Sequence, residues 1–319
     1  MPNEAPVTRP LNPGKFRDPA TTAKGERRAS VTLKSLRTLW FNTGTLCNLT
    51  CEHCYIESSP SNDRLVYLSA AEVRAYLDEI ASEKLATEEI GFTGGEPFMN
   101  PELLQMLADC LSRGFRVLVL TNAMRPMMKC APGLLALREQ YGARLALRVS
   151  LDHYSQVLHE KERGKRSWGP ALEGLRWLTA RGFHTSVAGR TAWGEPVARE
   201  REGYARLFAA QGIPLDAASA QELVLFPEMD ERVDVAEITE ACWSILRVNP
   251  DAVMCASSRM VAKRKGAEKP AVLACTLLPY DPRFELGQTL AESPRTVALN
   301  HPHCARFCVL GGGSCSVAF

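Results

Sequence analysis

The chain has 319 residues, 45% of them hydrophobic, and its 38 Lys plus Arg against 36 Asp plus Glu leave a formal charge of +2. That is enough apolar material for one large domain with an appendage or for two domains, and it excludes general disorder. The near-neutral balance excludes any general argument for nucleic acid as a partner, and no run of about 18 apolar residues argues for a membrane.

Met1-Pro-Asn-Glu-Ala-Pro6 lacks the basic-then-apolar order of an export signal, so a cytoplasmic location is expected. Residues 1–35, rich in Pro, Gly, Thr and charge, show neither the helix nor the strand period and read as an extended N-terminal arm. The pattern changes at 36–42, an apolar run that predicts a first buried strand leading straight into a cysteine loop. Ser69-Ala-Ala-Glu72 has the form of a capping box and opens a periodic run through Val73, Leu77 and Ile80, which predicts a helix. A second strand is expected at 89–93, ending at Gly94-Gly95. A helix follows from Asn100-Pro101 to Leu111, closed by Gly114, and then a strand at 116–120.

The alternation continues with a helix at 132–141, a strand at 145–150, a helix at 169–181 and a strand at 184–188. A helix at 196–211, a strand at 222–226 and a helix at 235–248 complete it. Six strand-then-helix units over residues 36–248 predict an α/β fold with a parallel sheet, helices outside it, and a site on the loops after the strands. Beyond Asn249-Pro250 the rhythm fades, and Cys255, Cys275, Cys304, Cys308 and Cys315 accumulate among Gly and Pro. Residues 249–319 are therefore expected to form a small metal-organised domain.

Eleven cysteines suit a disulfide framework only in a small exported protein, so bound iron and sulfide explain them better here. Cys47, Cys51 and Cys54 form the run Cys47-Asn-Leu-Thr-Cys51-Glu-His-Cys54-Tyr55, which returns three soft thiolates toward one centre. At this cysteine frequency such a triplet is expected roughly 0.01 times by chance. Three sulfurs can hold three irons of a [4Fe-4S] cube and leave the fourth iron open, which implies chemistry. Zinc is the alternative and needs a fourth ligand, for which His53 and His159 are candidates.

The cysteine run resembles the CxxxCxxC signature of the radical S-adenosylmethionine (radical SAM) enzymes, with Tyr55 at the usual aromatic position. Gly94-Gly95-Glu96-Pro97 resembles their methionine-amino-group-binding loop after the second strand. The resemblance covers about residues 36–226. It implies a partial (β/α)6 radical SAM barrel, with the methionyl amine and carboxylate of S-adenosylmethionine chelating the unique iron. The implied chemistry is electron transfer into the sulfonium, cleavage to methionine and a 5′-deoxyadenosyl radical, and hydrogen abstraction from substrate. On this reading Gly94 and Gly95 admit the cofactor to the backbone, and Glu96 accepts from its ammonium. Ser150 and Asp152 match the family's Ser-x-Asp, with Ser150 a partner for the ribose or the methionyl carboxylate. Thr121 and Asn122 end the preceding strand. Arg190 is a partner for the carboxylate or a surface ion-pair residue. The stretch 159–166, containing Arg163-Gly164, resembles the family loop after Ser-x-Asp and lines the pocket or is a solvated charge run.

Residues 249–319 resemble the SPASM or twitch extensions. Cys275 followed by Phe284-Glu-Leu-Gly287 is similar to their cysteine and Leu-Gly arrangement, and Cys304-Ala-Arg-Phe-Cys308 to the returning pair, though separated by three residues where two are usual. One auxiliary [4Fe-4S] cluster is expected, held by Cys255, Cys275, Cys304 and Cys308 with Cys315 as substitute, and with Gly311-Gly-Gly313 bending around it. His301 and His303 are donors to cluster sulfide, proton carriers, or structural. The basic residues from Arg259 to Lys269 bind an anion or are solvated. Cys110, Cys130 and Cys242 are read as structural.

The resulting expectation is a radical SAM enzyme acting on an unactivated C–H bond of a small molecule or peptide, fed by an external one-electron donor such as flavodoxin or ferredoxin. A peptide or protein maturase is the close rival. A non-catalytic iron-sulfur electron carrier is the alternative of a different class.

Overall fold

The computed structural model describes residues 9–314. Its first elements are β1 (Ser30–Thr32), β2 (Thr38–Asn42), α1 (Ala70–Ser82) and β3 (Glu89–Thr93). A 3-10 turn at Pro97–Met99 leads to α2 (Leu103–Ser112), β4 (Arg116–Thr121), α3 (Arg125–Lys129), α4 (Ala131–Tyr141) and β5 (Leu145–Ser150). Next come α5 (Gln156–Arg163), α6 (Trp168–Ala180), β6 (His184–Arg190), α7 (Val197–Gln211), β7 (Leu223–Phe226) and α8 (Cys242–Leu246). The chain closes with β8 (Ser258–Ala262), β9 (Ala271–Leu273), β10 (Glu285–Gly287) and β11 (Thr296–Ala298).

Strands β2 to β7 lie side by side in sequence order and pair in parallel throughout, as the strand-then-helix rhythm predicts. All five residues of β2 and of β3 are buried, the signature of a sheet covered on both faces. Alternate residues serve different cores. Leu39, Phe41, Ile90, Phe92, Val117, Val119, Leu145 and Leu147 pack under the helices. Trp40, Leu118 and Ala146 point to the other side, into an apolar cluster built with Met254, Cys255, Cys304 and Phe307. The carboxyl-terminal segment therefore fills the face of the sheet that the helices leave free.

That segment also extends the sheet. β8 pairs in parallel with β2, Thr38 opposite Ser258, and β9 and β10 continue antiparallel beyond it. Separately, β1 and β11 form a two-stranded ribbon.

The expected helix at 235–248 is largely absent, since only Cys242–Leu246 is helical. The physical reason is competition for backbone groups: Asp234 N–H donates to Arg9 C=O at 2.8 Å and Glu240 N–H to Arg27 C=O at 3.2 Å. Residues 9–28 of the arm are strapped there by Lys15 on Asp234 (2.8 Å) and by Arg28 on Glu237. The capping box at Ser69 and Glu72 forms in both directions. Helices α3 and α5 add short turns after β4 and β5.

Candidate active site

Each strand from β2 to β7 contributes to one pocket at the carboxyl ends of the sheet, through its last residues or the loop that follows, and the three clustered cysteines line it. Their loop is closed at its base by Cys47 N–H donating to Ser59 C=O (3.1 Å). Within it the sulfurs already accept backbone amides, Leu49 N–H on Cys47 Sγ at 3.4 Å and Ser58 N–H on Cys54 Sγ at 3.3 Å. Burial pushes the Cys47 thiol up to about 12 and the Cys51 thiol up to about 11. Both are therefore protonated at neutral pH until a metal displaces the proton.

The glycine pair after β3 lies against the backbone that leads into Cys47. Gly95 N–H donates to Gly44 C=O and Glu96 N–H to Leu46 C=O. A Cβ on Gly95 would sit 2.3 Å from the Leu46 carbonyl oxygen, and Gly94 has φ of +138°, so neither position tolerates a side chain. Pro97 starts the 3-10 turn, and Glu96 caps it by accepting Phe98 N–H at 3.2 Å.

The Glu96 side chain joins two strand ends. Its oxygens accept from Thr121 Oγ1 and from Asn122 N–H, both at 2.8 Å, tying the end of β3 to the end of β4. Gly94 and Gly95 line the pocket, whereas Glu96 is 2% exposed and outside the lining. Three of its roughly four acceptor positions are occupied.

Ser150, at the end of β5, lines the pocket, as do Asp152 and Arg190. Asp152 accepts from the guanidinium of Arg163, which lies close enough to Cys51 and Cys47 to act on their charge. Arg190, at the end of β6, donates from Nη1 to Glu162 at 2.7 Å and lies 3.5 Å from Glu228 through Nη2. Its buried Nε finds no acceptor among the described residues. Arg148, Phe226 and Met229 also line the pocket and escaped sequence reading. Glu162 and Arg163 fall in the stretch 159–166, for which the sequence leaves pocket lining and a solvated charge run both open, and both line the pocket.

Of the two candidate fourth ligands for zinc, His53 lines the pocket beside the thiols and His159 does not. His53 Nδ1 lies 2.8 Å from Glu162 Oε2, where facing a carboxylate it must carry the proton. His159 is fully buried edge-on to Trp168, outside the pocket lining.

Cys255, Cys275, Cys304 and Cys308 all belong to the apolar cluster on the free face of the sheet. Cys255 sits on a 3-10 turn before β8, and Cys275 follows β9 and accepts Leu277 N–H on its sulfur at 3.3 Å. Cys304 and Cys308 share a seven-residue π-helical segment, Cys304–Leu310, whose wider turn brings residues four apart onto nearly the same face. Burial and the nearby Cys255 push the Cys304 thiol far up. Cys315 lies outside the described residues.

His301 Nδ1 accepts His303 N–H at 3.1 Å, so its Nε2 carries the proton and faces Glu231 at 3.3 Å. In that tautomer it offers a cation no lone pair. Within the basic stretch Lys263 pairs with Glu72, Arg264 with Glu285 and Lys265 with Asp63, while Arg259 is buried on the carbonyls of Cys255 and Ser258. Cys110 is fully buried in α2.

Residues 41–206, just over half of the chain, match the profile of the Radical SAM superfamily. The chain belongs to this superfamily. Among curated relatives, it is 31% identical over 143 residues to the antilisterial bacteriocin subtilosin biosynthesis protein AlbA of Bacillus subtilis, covering 44% of this chain and 30% of AlbA. It is 32% identical over 139 residues to the Fe-coproporphyrin III synthase of Methanosarcina barkeri, covering 42% of this chain and 32% of the synthase. These matches span about a third of the relatives' length. The crystal structure of Streptococcus suis SuiB bound to its precursor peptide SuiA superposes with a TM-score of 0.58 at 11% identity, covering 83% of this chain and 64% of SuiB, a likeness of fold.

Radical SAM enzymes carry a [4Fe-4S] cluster and S-adenosylmethionine, and the residues present fit both. Three thiols converge on one pocket and two glycines bare the backbone beside them. A cationic side chain on the wall keeps one buried donor free.

Proposed function

We propose that this radical SAM enzyme reductively cleaves S-adenosylmethionine at a cluster held by Cys47, Cys51 and Cys54 and abstracts hydrogen from a C–H bond of its substrate. The observation that carries the reading is the meeting, in one pocket, of these three thiols with the Gly94-Gly95 backbone and the ends of β4, β5 and β6. When bound, the cluster and the sulfonium compound supply the radical; the protein supplies binding, orientation and electrostatics.

On this reading Gly94 and Gly95 present backbone to the methionyl amine. Glu96 holds that backbone in place through Thr121 and Asn122, with one acceptor position left for the ammonium. Pro97 fixes the turn behind it. Arg190 offers its free Nε to the methionyl carboxylate and Ser150 its hydroxyl, while Asp152 orients Arg163 beside the thiols, a cation suited to the negative charge of a bound cluster.

A carboxyl-terminal auxiliary [4Fe-4S] cluster on Cys255, Cys275, Cys304 and Cys308 is part of the proposal, with residues 249–319 as its SPASM/twitch-like domain. It is supported by their membership of one apolar cluster and by the amide already bonded to Cys275 Sγ. An external one-electron donor is required. Flavodoxin or ferredoxin would serve in the cytoplasm, and no described helix is long and apolar enough to cross a membrane. Peptide is the substrate class to test first, because AlbA acts in bacteriocin biosynthesis and SuiB binds a precursor peptide; Fe-coproporphyrin III synthase keeps a small-molecule substrate as the second.

Anaerobically reconstituted and reduced protein is expected to form 5′-deoxyadenosine and methionine from S-adenosylmethionine, and Cys51→Ala to form none. Equal product from both proteins, or none from either, would remove the reading. Deuterium entering 5′-deoxyadenosine from labelled peptides or metabolites would name the substrate class.

A further inference from the structure

Glu162 lies in the last turn of α5 and is 5% exposed, although that helix is mostly polar. Its main-chain carbonyl accepts Glu52 N–H at 2.8 Å. Its Oε1 accepts His53 N–H at 3.0 Å and Arg190 Nη1–H at 2.7 Å, and its Oε2 accepts His53 Nδ1–H at 2.8 Å. Glu52 and His53 are the two residues between the second and third thiols. One residue of another element thus holds both intervening amides and, with the same carboxylate, the arginine on the opposite wall.

We propose that Glu162 is a positioning residue that sets the Cys51-to-Cys54 segment before any cluster is bound and locks that segment to Arg190. The inference rests on the reading of Cys47, Cys51 and Cys54 as cluster ligands. Among the described residues, the other bonds that hold the loop lie outside this segment or within the loop itself, such as Glu57 N–H on Cys54 C=O and Tyr280 Oη–H on Ile56 C=O. Among the described residues, long-range hydrogen bonds to residues 51–54 come from Glu162 alone. A segment that carries two ligands in four residues has little to order it before a cluster is bound, so an outside clamp removes entropy that assembly would otherwise have to overcome.

Glu52, His53 and Glu162 place ligand atoms close enough for a metal ion, but their geometry favours a clamp. Glu162 Oε2 is in direct hydrogen bond to His53, and Oε1 already faces the Arg190 cation, which would repel a second one. Arg190 also explains the use of a carboxylate here. An amide at 162 would keep an acceptor oxygen but no charge, leaving the longer contact to Glu228 as the ion pair of the guanidinium.

The test uses Glu162→Ala, Glu162→Gln and Glu228→Gln, the last touching Arg190 but not the loop, with circular dichroism to confirm folding. In metal-free protein, hydrogen exchange at the His53 amide, held by the Glu162 side chain, is expected to quicken about 10-fold or more in Glu162→Ala and to stay at the wild-type rate in Glu228→Gln, with the Glu52 amide, held by the main-chain carbonyl of residue 162, as the internal reference. In anaerobically reconstituted protein, the paramagnetic signal that changes on adding S-adenosylmethionine should decay under chelator about 10-fold faster in Glu162→Ala. Glu162→Gln should fall between, and serves alone if the alanine variant does not fold. Wild-type exchange and decay in the Glu162 variants would overturn the proposal. So would equal loss in Glu228→Gln, which would assign the effect to the charge on Arg190. Wild-type protein with protected amides that never takes up iron would overturn the ligand assignment of the cysteines, and with it the role of the clamp in assembly.

Discussion

Glu200 has nowhere to put a negative charge. It lies fully buried in α7, neither carboxylate oxygen has a partner among the described residues, and burial, with Glu195 adding to it, pushes its pKa from 4.5 up to about 7. Glu96 is also buried and pushed up to about 7 by burial, yet three donors converge on it and pull toward the charged form. The two carboxyls therefore differ in what they do to the fold. For Glu200 the native state holds its proton more tightly than the unfolded chain. Its contribution is thus fully present below about pH 4.5 and is lost as pH rises through about 7. Glu200→Gln is expected to match the wild type near pH 4.5 and to exceed it at pH 8, by up to about 3 kcal/mol. Thermal melts across that range read the difference, and curves that stay parallel would show Glu200 ionised in the fold.

At the scale of elements, apolar runs were the legible part. Strands β3 and β5 span the residues that their composition predicts, because a strand buried on both faces needs a continuous apolar run and few other segments supply one. The capping box at Ser69 was equally legible, since both of its bonds are local. Residues 235–248 misled for a stated reason: their apolar spacing fits a helix, but the arm takes up backbone groups that a helix would use. That strap is anchored by Arg28, which is fully buried and bonds Glu237 as well as the carbonyls of Asp18, Thr21 and Leu299. Arg28→Ala is expected to cost about 3 kcal/mol in urea unfolding, because Glu237 is left buried without its cation. A loss under about 1 kcal/mol would mean that the arm is held by its apolar contacts, chiefly Phe16, and not by the pair.

For the molecule as a whole, the sheet separates two cores. Helices cover one face, and the other holds Cys255, Cys275, Cys304 and Cys308, with Cys242, in one apolar cluster with Trp40, Phe284 and Phe307; the first four are the proposed ligands. If those four carry a second cube, reconstituted protein holds about eight irons per chain and Cys304→Ala about four, with the signal that responds to S-adenosylmethionine kept. Iron and sulfide analysis beside paramagnetic resonance checks both numbers. Four irons in the wild type would leave the second core as packing only.

Sequence by itself determined the parallel α/β order, the three-thiol loop and the glycine pair beside it, because spacing, period and the lack of a Cβ are local properties of the chain. Tertiary structure alone decided which charges matter. Arg190 and the stretch 159–166, which holds Glu162 and Arg163, read along the chain as pocket residues or as surface charge alike, and only their meeting in space pairs Arg163 with Asp152 and Arg190 with Glu162. Coulomb interactions of that kind depend on distance in space and on the exclusion of water, and neither is written in sequence separation.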